Sequence, residues 1–346
     1  MDLFTPIVES DLQHKNFISV LRPHRKTERD LFEEWAEGFI DRDGKLVKEF
    51  QTTFNSSFWE VYLYALFKYY NFDVDWSSPT PDFLVSDGKS DVVIEAVTAN
   101  SAQGKPNEWD KNFSAQEMEV LRCFKKLNTE AIIRLSNSIF SKVKLYNKKY
   151  QKLAHVKGKP FVIALAPFEQ PHFNHQYDRP IKALLYDYYV DEDAYLAEPL
   201  KFPNGPPGVN LGFVEKDNGA EIQLGLFNDP SMSEVSAIVF SCVATWGKLT
   251  AMAENPNRCV EVSSTWATHN NGVAEARICP SSDHHEIISD GLQVFHNPYA
   301  KNPLDPNFFR SKRVVQLYFN ETNGEWIHEG GEDCLLFRQV ISYPKK

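Results

Sequence analysis

The chain has 346 residues, a net charge of −10, 42% apolar residues and 13% aromatics, enough apolar material for one large core or two smaller ones. The negative balance argues against a protein that coats nucleic acid by bulk attraction, and no apolar stretch approaches the roughly 18 residues needed to span a bilayer, so no membrane role is expected. The start MDLFTPIVESDLQHKNF has early acids and no apolar leader, and the five cysteines (Cys123, Cys242, Cys259, Cys279, Cys334) never form a CxxC pair, which predicts a soluble cytoplasmic chain with neither a disulfide framework nor a zinc knuckle.

Residues 1–53 read as an N-terminal extension. FNSSFWEVYLYALFKYY (54–70) is apolar nearly all round with start signals at Ser56 and Ser57, which predicts a buried helix. NFDVDW, PDFLVS and DVVIEAVTA follow as three β-rich runs separated by Pro, Gly, Ser and Asp, a meander or hairpin pattern. Residues 114–152 read as helical with a break near Asn128; Ile132, Leu135, Ile139, Phe140, Val143 and Tyr146 gather on one side, and Arg134, Asn137, Ser138 and Ser141 on the other. KPFVIALAPF (159–168) is a bounded apolar run and hence a buried strand. The order predicts a mixed central sheet from residues 72–76, 81–86, 91–98 and 160–167, flanked by helices at 56–70 and around 130–150. Beyond residue 170 the pattern thins. PHFNHQYDRP and KFPNGPPGVNLG read as loops, and short strands are expected in EIQLGLF, SAIVFSCVA, EVSSTWA and VVQLYFNE. Residues 169–346 are either a second α+β domain or an extension of the first sheet, with SAIVFSCVA the best candidate for an added central strand.

Charge is unevenly spread. Between Ala131 and Phe168 there is no acid, whereas Arg134, Lys142, Lys144, Lys148, Lys149, Lys152, Lys157 and Lys159 all fall there, the pattern of a local anion-binding face inside an acidic protein. A solvated helix surface is the plainer reading. The acids carry the sharper signal. Asp82 opens one β-rich run and Glu95 interrupts the next between VVI and AVTA, where burial asks for a neutral side chain. Glu60 is one of two charged residues in the apolar helix. Carboxylates on neighbouring strands can meet at one edge and hold a hard divalent cation such as Mg²⁺, with water and phosphate oxygens completing its shell. Each acid also has a structural reading: Ser57 with Glu60 fits a capping box, and Asp82 after Pro81 fits a turn.

The order of elements and these acids resemble the PD-(D/E)XK nuclease superfamily with its restriction-endonuclease-like fold. The likeness spans residues 54–168: Glu60 on the first helix, Pro81-Asp82 opening the second strand, Glu95 on the third. FQTTFNSSFWE, SAIVFSCVATWGK and HNPYA also resemble uncharacterised bacterial proteins grouped near this superfamily. The resemblance implies an α/β (mixed α+β) core, with residues 169–346 as a C-terminal α+β extension. It implies Glu60, Asp82 and Glu95 as ligands of Mg²⁺ or Mn²⁺, and hydrolysis of a nucleic acid, DNA more than RNA. The family's lysine belongs two residues after the glutamate, where this chain has Val97. Some members carry it on the following helix, which makes Lys142 the candidate, Lys144 the runner-up and Lys105 an outsider. Arg134, Lys144, Lys148, Lys149 and Lys152 are the implied contacts to the nucleic-acid backbone. A restrained nuclease in bacterial defence, acting as a homodimer or with a defence partner protein, is the implied biology.

The rival from another class is a degenerate nuclease fold that grips nucleic acid or a partner protein and cuts nothing, a reading favoured by Val97 and opposed by the acids. A two-carboxylate glycosidase has no support beyond the acids themselves. Asp283, His284 and His285 read as loop, because adjacent histidines on an extended segment face opposite ways. No GxSxG, HExxH or Walker sequence is present, and Gly247-Lys248 lacks a phosphate loop's glycine-rich approach. His296-Asn297-Pro298 suits a turn or a cleft contact.

Overall fold

The computed structural model describes residues 1–111, 123–268 and 274–345. It is a mixed α+β structure whose largest element is an eight-stranded sheet flanked by helices. The strands are β1 (Asp73–Asp75), β2 (Phe83–Ser86), β3 (Asp91–Asn100), β4 (Phe161–Phe168), the short pairs β5 (Tyr189–Val190) with β6 (Gly208–Val209) and β7 (Phe213–Glu215) with β8 (Glu221–Gln223), then β9 (Ala237–Phe240), β10 (Arg258–Ala267), β11 (Ala274–Pro280), β12 (Gln293–His296), β13 (Val315–Asn320), β14 (Glu325–Glu329) and β15 (Leu335–Pro344). The main sheet runs β1-β2-β3-β4-β9-β12-β13-β14, and β11-β10-β15 form a separate antiparallel sheet. SAIVFSCVA thus supplies β9, which lies parallel to β4, and strands from both halves of the chain share one ladder.

The helix Asn55–Tyr69 is apolar round most of its circumference because it is buried on most sides: Phe58, Trp59, Tyr62, Leu63, Leu66 and Phe67 are all at or below 1% exposure. Trp59 Nε1 donates to the Ala164 carbonyl of β4 at 2.9 Å, tying helix to sheet. Outside it, the helices Lys15–Val20, Lys26–Ala36 and Leu46–Thr52 close over an aromatic stack in which Phe32 meets Phe50 at 5.2 Å and Phe58 at 5.5 Å. The capping box does not form. Phe54 occupies the N-cap with φ 42, no side chain caps the helix, and Ser57 Oγ is buried without a partner.

β1, β2 and β3 form the expected meander, and β3 then joins β4 in parallel through a long crossover helix, Phe124–Lys148. Every residue of β4 is buried, as expected of a strand covered on both faces. Residues 114–122 of the expected helical stretch lie outside the described residues. Three details differ from expectation. The helix runs unbroken through Asn128, which is buried and donates to the Tyr189 hydroxyl at 3.3 Å; a polar side chain with an internal partner does not end a helix. Phe140 is 47% exposed, so it leaves the apolar stripe that buries Ile132, Leu135, Ile139, Val143 and Tyr146. PHFNHQYDRP is also more ordered than a loop, containing a 3-10 turn at Phe173–His175 and the start of a helix at Arg179. Among the described residues no helix is long and apolar enough to cross a membrane.

Candidate active site

Pro81 has no N–H and cannot extend the β2–β3 ladder, whose last pair is Phe83 with Ile94. Asp82 substitutes for the missing main-chain bond: its Oδ2 accepts from the Ala96 amide at 2.8 Å. That fixes its carboxylate beside Glu95, whose Oε2 stands 3.4 Å from the Asp82 amide. The turn that leads into Asp82 is braced from outside. The Arg42 guanidinium donates to the Ser78, Pro81 and Asp82 carbonyls and lies over the Trp76 ring at 5.4 Å, and His155 Nε2 meets the Thr80 carbonyl at 2.8 Å.

Glu95 is 1% exposed. Alternation along β3 puts it on the face covered by the long helix, since Phe161, paired with Val93, stacks on Tyr146 at 4.3 Å. There Lys142 Nζ reaches Glu95 Oε1 at 2.8 Å, and the Tyr150 hydroxyl donates to the same oxygen at 3.2 Å. Glu60, in the second turn of its helix, lines with Asp82 a cavity of about 210 Å³ whose rim includes Asp41, Arg42, Asp43, Glu49 and Trp76. The four residues singled out as catalytic therefore come from four separate elements to one place.

Their charges do not balance. Burial, then the neighbouring Asp82 and Glu49, pushes the Glu60 carboxyl up to about 8. Burial, then Glu95, pushes Asp82 up to about 7 against the pull of Lys142. Burial works against the Lys142 ammonium, but Glu95 and Asp82 outweigh it and raise its pKa. Glu60 has no hydrogen bond or ion pair with any described residue, and Asp82 Oδ1 is uncommitted.

Among the described residues no three His, Cys, Asp or Glu side chains stand together as a ready-made metal-binding group. Glu95 is engaged by Lys142 and Tyr150, which leaves Asp82 and Glu60 as the carboxylates with open oxygens on the cavity. Two crowded carboxylates short of a counter-charge suit a hard divalent cation, whose other ligands are water and substrate oxygens.

The remaining basic residues divide. Lys144, Lys148, Lys149 and Lys152 are exposed on the last turns of the long helix and the 3-10 turn beyond it. Arg134 is committed elsewhere: its Nε donates to the Asn100 carbonyl at 2.8 Å, so it braces the end of β3. Lys159 pairs with Asp91 at 3.0 Å, and Lys105 with Asp217 at 3.0 Å, leaving Lys142 as the lysine at the carboxylates. Val97 is half-buried in β3 and packs against the core. His284 is buried with its Nε2 at 2.9 Å from Glu286 Oε2. Asn297 is buried in a turn, donating to the Met232 and Val235 carbonyls.

Sequence reasoning missed Tyr150 and Arg42. An aromatic inside a lysine-rich stretch was a weak signal for the first; nothing local marked the second. Comparison with family models, curated proteins and solved structures finds no match to this chain.

Proposed function

We propose that the chain hydrolyses phosphodiester bonds of nucleic acid, DNA being the expected substrate, at the Glu60, Asp82, Glu95 and Lys142 cluster within a restriction-endonuclease-like core of residues 54–168. The observation that carries this reading is the 2.8 Å contact from Lys142 Nζ, on the crossover helix, to Glu95 Oε1: it fills the role that Val97 leaves vacant.

Asp82 and Glu60, with Glu95 behind them, are the residues that would hold Mg²⁺ or Mn²⁺. When bound, such a cation supplies an acidified water and charge neutralisation at phosphorus. The protein's own groups do the positioning. Glu95 holds the Lys142 ammonium in a fixed direction, and the raised pKa keeps that group protonated at neutral pH. It therefore acts as a donor that steers the water and the charge growing on a phosphate oxygen, not as the base. Lys144, Lys148, Lys149 and Lys152 would follow the substrate backbone without reading sequence. Asp41 and Glu49 on the cavity lining disfavour a polyanion, which supports a restrained enzyme released by a signal or partner.

The test is plasmid cleavage with Mg²⁺ or Mn²⁺ by wild type, Asp82→Asn and Lys142→Ala, alongside calorimetric titration of Mn²⁺. Both variants should lose cleavage, and only Asp82→Asn should lose Mn²⁺ binding. Cleavage that survives in Asp82→Asn overturns the reading. The binding-module alternative, which Val97 favours, predicts DNA binding without cleavage under every metal.

A further inference from the structure

Beyond the carboxyl ends of β4 and β9 lies a second cleft, of about 390 Å³, that shares no lining residue with the Glu60, Asp82, Glu95 and Lys142 cluster. Carboxyl ends of parallel strands are where open α/β sheets bind ligands, and this volume suits a small organic molecule better than a lone ion. Both ends of the chain build it. Asn16 and Arg25 come from the N-terminal extension, Thr245 and Trp246 from the start of the helix Trp246–Met252 after β9, and Arg338 from β15.

Its polar groups are mostly donors. Among the described residues, Arg25 Nε, Arg338 Nε and Trp246 Nε1 are buried with no partner, against a single unpartnered acceptor at the cleft, Asn174 Oδ1. Arg338 is only 5% exposed, so water does not freely satisfy it. Glu108, the acid among the described lining residues, is already engaged by Asn55 Nδ2 at 2.6 Å and Asn16 Nδ2 at 2.9 Å.

Among the described residues cations also outnumber carboxylates behind the wall. Glu28 is shared by Arg25 at 3.7 Å and Arg258. Glu286 is shared by Lys248 at 2.6 Å and Arg338 at 2.8 Å. The nearby Asp290 is taken by Arg313. Each shared carboxylate leaves one positive charge uncompensated, and a buried or half-buried cation without a counter-charge is costly.

We infer that this cleft binds a small molecule through an oxyanion group, phosphate or carboxylate, seated between Arg25, Arg338 and the Trp246 indole N–H. The inference is independent of nuclease activity, and its test needs none.

The intact protein, in metal-free buffer, is titrated with AMP and with benzoate, and with adenosine and benzamide as their uncharged counterparts, by calorimetry and tryptophan emission. The expected result is saturable binding of at least one anionic probe, stronger than its uncharged counterpart. Asp82→Asn should bind as wild type does. Arg25→Gln should weaken binding by about tenfold or more. Asn174→Asp, which puts a negative charge in the cleft and leaves every ion pair in place, should do the same. AMP against benzoate tells phosphate from carboxylate. The inference is overturned if neither anion saturates, if the uncharged counterparts bind equally well, or if both cleft variants, folded by circular dichroism, bind as wild type does.

Discussion

Two regions of this molecule bury the same kinds of charge and treat them in opposite ways. At the start of β2 and the middle of β3, three carboxylates face one nearby lysine, and two of the acids are pushed up to about 7 and about 8. Around Glu286, burial alone would push the carboxyl up, but Arg338 and Lys248 hold it down at about 2. Both Glu286 and Lys248 have fully buried side chains, whereas Asp82 and Glu60 open onto a cavity. The contrast separates a charge cluster used as internal scaffolding from one left short of cations at a solvent-reachable mouth. Only the second leaves acids short of counter-charge, the character that acid-base and metal chemistry needs.

The strongest way to break the comparison is Glu286→Ala. It strands Lys248 and Arg338 as buried cations and should cost about 3–5 kcal/mol in urea unfolding; a loss below 1 kcal/mol, as for an exposed pair, would show that the cluster is not scaffolding. Next, Asp82→Ala should lower DNA cleavage by about 10²-fold or more, while metal-free stability holds or rises because a crowded acid has gone. An Asp82→Ala protein that unfolds would make this acid structural too.

Acidity then sharpens the contrast by sign. Asp82 and Glu60 have folded pKa values above their unfolded ones, so their contribution is fully present below about pH 4 and is lost as pH rises through about 7 to 8. Glu286 has a depressed value, so its contribution is present above about pH 4.5 and is lost as pH falls towards about 2. Melting temperatures across this range should therefore fall less between pH 5 and 8 in an Asp82→Asn, Glu60→Gln double variant than in wild type. Parallel curves would remove the case for crowding. The smallest effect is expected at the surface. Charge reversal at Lys148, Lys149 and Lys152 should weaken binding to duplexes of any sequence and lower the slope of log K against log[salt] by about 0.9 for each lost phosphate contact, as read by fluorescence anisotropy at several salt concentrations.

What could be read from the chain follows from how local the physics is. Asn55–Tyr69 and β1 to β4 were legible because apolar period and turn residues are set within a dozen positions. Glu95 stood out because a carboxylate in an apolar run has no local excuse. Lys142 could be proposed only through a family resemblance, since nothing near it in sequence names Glu95 as its partner. The Glu286 cluster was invisible for the same reason: Lys248 lies on a helix, Glu286 in a loop and Arg338 on a strand, and pattern reading treats each alone. Arg258 sits in a strand whose burial alternates, but alternation does not say that an arginine faces inward, and Leu335–Pro344, which carries Arg338, has no such alternation to mark it. Of the strands after residue 170, β8, β9, β10 and β13 were spotted while their order was not, because the pairing of β9 with both β4 and β12 is decided by long-range packing.

That pairing sets a timetable for synthesis. β4 needs β9 along one edge, and β9 in turn needs β12, so the ribosome must deliver residues through His296 before the middle of the sheet can close. Until then the fully apolar β4 carries an unpaired edge, a surface prone to adhere to other nascent chains. The carboxylates of β2 and β3 are made early, yet the sheet that fixes them matures late, so a shortened messenger ending soon after residue 168 should yield aggregate in place of a small active enzyme.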